Sequence, residues 1–371
     1  MTKWLDTLFP NDVSVGHPQF DFWYRRYGFM KNINLDRVCM LLNSDGSAIN
    51  LVQLKPQHKC ILFTSCAESP RYDDVRALGL QYPDVPVVWL ADLDPYDYPL
   101  PSNVTHIKYR HYYIRMEMFH DCFDVSQVLR VKDKKIKYKF SSLSYFMRQA
   151  RAAITAALCN YARAQSIMSW HLLDNSPSTI QKDLIQSFQD SPVFSDLDWS
   201  VLEQELTVDQ YNWDRNTVKN NMMDIFNPAF ESSLCNFNNE TDSMGWLDNG
   251  QERYNRPGPF ITEKTWKTLL TGCVLLNSGQ PGTIEYLKND YHLPLDYSID
   301  QSHDSVQQDF DRFRSVIDMI KQLAQVPLQD LIDANIDTCA QVQNILLDPA
   351  FLEAPRAYNR TQDERIATLL S

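Results

Sequence analysis

Short apolar, β-rich runs alternate along this chain with stretches of helical periodicity, which is the patterning of an α/β protein. His58–Cys66 (HKCILFTSC) and Val85–Asp92 (VPVVWLAD) are apolar runs flanked by turn residues and predict strands, with a helix over Arg71–Gln81 between them. Strand, helix, strand at this spacing predicts a parallel unit. The Pro/Asp/Tyr-rich Asp92–Pro101 then predicts a loop at the carboxyl end of the second strand, the edge where ligands sit in open α/β sheets. Further along, Tyr138–Leu143 predicts a strand, Phe146–Ala164 an Ala-rich helix and Ser169–Asp174 the next strand, while Ser176–Arg215 is polar with helical pieces. Glu231–Asn238 leads into a Gly/Asn/Pro-rich loop over Asp242–Pro259. The most regular part follows: a helix over Thr262–Thr271, a strand over Cys273–Ser278, a turn at Gly279–Gly282 and a helix over Thr283–Asp290. Ser305–Ala324 and Pro327–Leu347 predict amphipathic helices, and Thr361–Leu370 a terminal one.

The two alternations are separated by the strongly basic Arg130–Lys139 (RVKDKKIKYK), and 371 residues suit two cores better than one. The expectation is an α/β protein of two Rossmann-like lobes facing a cleft. An N-terminal lobe spans 1–136, a C-terminal lobe 137–350 and a helical tail 351–371. No apolar run approaches the roughly 20 residues of a membrane helix. Met1–Pro10 contains Asp6 and lacks a signal-peptide stretch, so a cytoplasmic protein is expected. Eight scattered cysteines without a Cys-x-x-Cys pair predict free thiols rather than a zinc or redox motif, and the Asn-x-Thr triplets at Asn103, Asn239 and Asn359 are then chance matches. Six of the ten glycines fall between Gly245 and Gly282, which marks that region for tight turns and close backbone approach. Neither a Gly-x-Gly-x-x-Gly nor a phosphate-loop motif occurs, against a dinucleotide enzyme or a P-loop NTPase.

Charge adds one asymmetry. The net value is −12, yet Thr105–Gln165 holds 12 Lys/Arg against 4 Asp/Glu, leaving 23 basic and 43 acidic residues elsewhere. Lys132, Lys134, Lys135, Lys137 and Lys139, with nearby tyrosines and phenylalanines, could meet a phosphate backbone and an unstacked base. They could equally be a solvated loop.

The densest chemistry lies in Pro259–Leu287, PFITEKTWKTLLTGCVLLNSGQPGTIEYL. Thr262 can cap a helix beginning with Glu263 and Lys264. The helix N-terminus and Lys264 suit a phosphate, and Glu263 can accept both hydroxyls of a ribose. The competing reading makes Glu263 and Lys267, four apart, a surface ion pair.

The string ITEKTWKTLLTG followed by VLLNSGQPGTIEYL resembles the donor-binding signature of the fucosyltransferase-like glycosyltransferases, in the branch frequent in bacteriophages and large viruses. Phe140–Arg151 (FSSLSYFMRQAR) resembles the start of that family's donor domain, with Ser144 and Tyr145 where Asn and Arg are usual. Glu231–Thr241 resembles its strand ending in Glu-Thr. The resemblance implies the glycosyltransferase-B architecture, with a UDP- or GDP-linked sugar donor in the C-terminal lobe and no metal or other cofactor. Glu263 would hold the donor ribose and Lys264 a donor phosphate, with Thr262 and Lys267 beside them. Arg148 and Arg151 would meet the pyrophosphate, and Glu240 would lie near the sugar. The general base, a carboxylate within reach of the acceptor hydroxyl, is then sought in the N-terminal lobe among Glu68, Asp92, Asp94 and Glu117, at or soon after strand ends. Three functions follow: transfer of sugar to a hydroxymethylated base such as 5-hydroxymethylcytosine in double-stranded phage DNA, transfer to a surface glycan or lipid-linked sugar, or non-catalytic polyanion binding.

Overall fold

The computed structural model describes residues 28, 34, 37–42, 54–64, 72–92, 99–110, 113, 116–117, 119–120, 124–144, 149–169, 179–203, 227–238, 259 and 261–371. In chain order the strands are β1 (Val38–Leu42), β2 (Cys60–Thr64), β3 (Val87–Ala91), β4 (Val104–Lys108), β5 (Tyr138–Leu143), β6 (Ser166–Ser169), β7 (Ser233–Phe237) and β8 (Val274–Leu276). The α-helices are α1 (Tyr72–Gln81), α2 (Gln149–Tyr161), α3 (Thr179–Asp190), α4 (Pro228–Ser232), α5 (Glu263–Leu270), α6 (Thr283–Tyr291), α7 (Asp309–Gln325), α8 (Leu328–Leu347) and α9 (Glu353–Leu370). No helix among the described residues is long and apolar enough to cross a membrane.

The described residues fall into two compact units, one drawn from Met1–Glu117 and Leu352–Ser371, the other from Met118–Arg253 and Gly258–Phe351. Each holds a four-stranded, wholly parallel sheet, ordered β1-β2-β3-β4 in the first and β6-β5-β7-β8 in the second. The division lies at Glu117–Met118, whereas the basic stretch suggested 136–137. Val131, inside that stretch, belongs to the core of the second unit, and its backbone N–H donates to Gln343 Oε1 at 2.9 Å. Residues 352–371 are not a separate tail, because their helix is bonded into the first unit. Tyr109 Oη donates to Asp363 Oδ1, and the Asn359 side chain bonds both backbone groups of Arg110.

In the first unit, β2 and β3 are the predicted strands and α1 the predicted helix, paired in parallel as expected. Every residue of β3 is buried, the continuous apolar run that a doubly covered parallel strand requires. Phe63 and Trp89 are completely buried in this core, about 2–3 kcal/mol of apolar burial each. Two strands escaped the sequence pattern, β1 and β4. Strand β4 (VTHIK) has only Ile107 fully buried, so no apolar run announces it. Asn103 just before it donates to the carbonyls of Gly79, Tyr82 and Val85, closing the turn after α1 and giving that Asn-x-Thr triplet a structural role.

In the second unit, Phe140, Leu234, Val274 and the alanine face of α2 form a core sealed by α7 and α8. Strand β6 lies at Ser166–Ser169, earlier than the expected 169–174. Helix α2 ends at Tyr161, and Ile167 and Met168 are the buried residues that the sheet takes. Residues 170–174 lie outside the described residues. Gly272, at φ 68°, ends α5 as the pattern predicted, and a Cβ there would lie 2.8 Å from Val131 Cβ.

Gly79 marks a second close approach, between α1 and β4. A Gly→Ala change in a helix ordinarily stabilises by up to about 1 kcal/mol. Here the new Cβ would stand 2.6 Å from Val104 Cγ2 and 3.0 Å from Pro101 Cγ. Overpacking of this kind costs about 1–3 kcal/mol, so Gly79→Ala is expected to lower the urea midpoint, and a raised midpoint would show that the helix has room to spare.

Candidate functional site

In the second sheet the chain passes from β5 outward to β6, then returns to the other side of β5 for β7 and β8. The switch point therefore lies between β5 and β7, and ligands of open α/β folds bind outside the carboxyl ends of the strands there. Helices α2 and α6 leave this edge directly after their strands. Helix α5 runs into β8, so its N-terminus lies at the same edge.

That N-terminus carries the predicted motif. Thr262 is the N-cap, with extended backbone (φ −120°, ψ −170°), and its Oγ1 accepts from the Lys264 N–H at 3.2 Å. Lys264 Nζ donates to Glu263 Oε1 at 2.9 Å and approaches Thr262 Oγ1 at 3.4 Å. Glu263 is 4% exposed, so a surface ion pair does not describe it. Its carboxylate sits in the first turn, favoured by the positive end of the helix and by Lys264. Lys267 lies in the last turn and its carbonyl accepts from Thr271 Oγ1. Trp266 is fully buried edge-on against Tyr291, centroids 5.1 Å apart, and anchors the helix.

Beneath α5 runs a buried polar lattice that the sequence reading did not single out. Asn236 in β7 donates to Thr268 Oγ1 at 2.6 Å, and Ser141 in β5 donates to Asn236 Oδ1 at 2.9 Å. Asn238, directly after β7, bonds Thr265 of α5 and both Asn277 and Ser278 after β8. Asn277 in turn donates to Asp304 Oδ1. Asp304 accepts from the N–H groups of Thr283 and Ile284, closing the N-terminus of α6 with a carboxylate. His303 Nε2 is 3.0 Å from the Asn277 carbonyl. The signal available in sequence was asparagine inside apolar strand runs, LCNFN and VLLNS, since a buried polar residue is more informative than an apolar one.

The other predicted residues scatter. Arg151 is buried in the first turn of α2, at the switch-point edge. Asp92 is buried immediately after β3, at the carboxyl end of the first sheet. Glu117 is a structural partner: Arg356 of α9 donates to its Oε1 through Nε at 2.7 Å and Nη2 at 2.6 Å, which neutralises the carboxylate expected to serve as a base. Glu68, Asp94, Arg148 and Glu240 lie outside the described residues.

The basic segment is not one surface. Lys139 is buried, and its ammonium donates to the carbonyls of Leu323 and Ala324 at 3.0 and 2.9 Å, capping α7; burial lowers its pKa. Lys134 Nζ donates to the Phe230 carbonyl at 2.8 Å and lies 3.3 Å from Cys273 Sγ. Lys132 is paired with Asp337 on the surface. Lys135 and Lys137 are exposed. The expectation of five phosphate-facing lysines is corrected here, because the carbonyl ends of neighbouring segments claim two of them.

Comparison of the chain with protein-family models, with curated proteins and with solved structures found no match.

Adjacent His303 and Asp304 respond to pH in opposite directions. Burial pushes the imidazole down to about 4 and the carboxyl up to about 6, the latter against the donors that favour its charge. Stability contributed by neutral His303 is present above pH 6.5 and lost as pH falls through about 4. Stability contributed by protonated Asp304 is present below pH 3.8 and lost as pH rises through about 6. Between pH 4 and 6 the two nearly cancel. His303→Gln removes one side of the balance, and its stability relative to wild type is expected to fall by up to about 3 kcal/mol from pH 4 to 6. Urea unfolding at pH 4, 5 and 6 measures this. No change in that difference would show that burial does not lower the His303 imidazole.

Proposed function

We propose that the chain is a glycosyltransferase of the glycosyltransferase-B architecture, metal-independent, which binds the diphosphate and ribose of a nucleotide sugar at the N-terminus of α5. The observation that carries this reading is the buried Glu263 paired with Lys264 on a Thr262-capped helix start at the carboxyl edge of a parallel sheet. A carboxylate there can accept two vicinal hydroxyls, while the lysine and the positive helix end attract phosphate oxygens. The α6 N-terminus already holds the Asp304 carboxylate, which leaves α5 the better anion site of the two. Arg151 on α2 adds a second cation at the same edge. In this reading the N-terminal unit meets the acceptor, and Asp92, buried just after β3, is the proposed general base.

Isothermal titration with UDP-glucose, GDP-mannose and GDP-fucose tests the donor site. Glu263→Gln and Lys264→Met are each expected to weaken the donor that binds by about 1.5–3 kcal/mol, the worth of a charge-assisted contact. Unchanged affinity in a folded variant would remove the residue from the site.

Lys135 and Lys137, exposed just before β5, support a nucleic-acid acceptor, for which 5-hydroxymethylcytosine in phage DNA is the proposed base. Changing both to serine should make the salt slope of duplex binding shallower by roughly 0.9 per lost phosphate contact, with donor affinity unchanged. Wild-type protein that shows no salt-dependent duplex binding at all would instead favour a surface-glycan or lipid-linked acceptor.

A further inference from the structure

We infer that Asn238 is a positioning residue, which holds the Glu263–Lys264 helix start and the turn after β8 as one body. The inference rests on the donor reading for its functional consequence and on geometry alone for the coupling.

A primary amide has two N–H donors and an oxygen with two acceptor sites, and Asn238 uses all four. Its Nδ2 donates to Thr265 Oγ1 at 3.1 Å and to Asn277 Oδ1 at 3.1 Å. Its Oδ1 accepts from the Ser278 N–H at 2.8 Å and from Ser278 Oγ at 2.9 Å. The backbone N–H of Ser278 can only donate, so it dictates which end of the amide is oxygen. Asn238 is 1% exposed, so water is not at hand to replace a lost partner.

Two segments therefore depend on one side chain. Thr265 follows Lys264 in the first turn of α5. Asn277 also receives the Gly279 N–H at 2.9 Å and donates to the Gln280 carbonyl at 2.9 Å, which shapes the turn. Asn236 makes a similar contact to Thr268, one turn deeper in the same helix, but its bonds run to Thr268, Phe237 and Ser141 rather than to the turn after β8. That difference supplies an internal control.

Thr265→Val removes the helix-side bond with almost no change of shape, and Thr268→Val does the same one turn deeper. Donor affinity is measured with whichever of UDP-glucose, GDP-mannose or GDP-fucose the wild type binds. Thr265→Val and Asn238→Ala are each expected to weaken it about tenfold, since small misplacements of a binding group are costly. The double variant should be no worse than Asn238→Ala alone, because both break one connection. Thr268→Val should lower thermal stability while keeping affinity within about twofold. Wild-type affinity in Thr265→Val, or an equal loss in Thr268→Val, would overturn the positioning role and leave the donor site standing. Hydrogen exchange decides the coupling even if no nucleotide sugar binds the wild type, an outcome that would instead overturn the donor reading. Asn238→Ala should accelerate exchange at 264–266 and 278–280 together, and acceleration in only one of these segments would show that they are independent.

Discussion

An amide buried at the end of a parallel strand is tolerated only when each of its polar atoms finds a partner, and the C-terminal unit is organised around meeting that demand. Asn236 is buried within β7, Asn238 just after it and Asn277 just after β8. Threonines of α5 answer the first two, and Asp304 and the turn after β8 answer the third. An apolar helix–sheet contact permits rotation and sliding with small loss, because dispersion is non-directional. Amide–hydroxyl pairs fix both. Of the two pairs, Asn238–Thr265 sets the start of α5 in register with the sheet edge, and Glu263 and Lys264 with it.

The same edge shows how one architecture distributes charge. Three helices begin there, and each N-terminus is treated differently. Helix α6 receives a protein carboxylate, α5 begins with a glutamate–lysine pair, and α2 carries a buried arginine in its first turn. Elsewhere, the opposite end of the helix dipole is served in the same currency: Lys139 donates to the last carbonyls of α7. Among the described residues, Lys139 and Asp304 answer helix ends, and Glu117 answers Arg356.

Backbone states were readable in advance wherever a single period dominated. The apolar runs of β2 and β3, the bounds of β5, the capped start of α5, its glycine stop and the amphipathic faces of α7 and α8 are local properties. A residue's neighbours within a few positions set them. The Thr262-Glu263-Lys264 start was legible for the same reason, since a cap is a contact between residues two apart. Strand β4, half-buried with one fully buried residue, carried no such pattern and passed unseen.

What local pattern left open, the tertiary structure decided through partners far away in the chain. Five lysines within eight positions look alike as a sequence. Lys139 is buried because the carbonyl of Leu323, 184 residues on, lies above it. Glu117 reads in the sequence as a carboxylate soon after a strand end, and becomes half of an ion pair with Arg356, 239 residues later. The fate of Asn238 depends on Thr265 and Asn277, 27 and 39 residues away, brought to it by strand order. Periodicity tells a residue which way its own element faces; only the packing of elements decides what stands opposite, and for a polar side chain that partner determines whether it meets water, a helix end or a ligand.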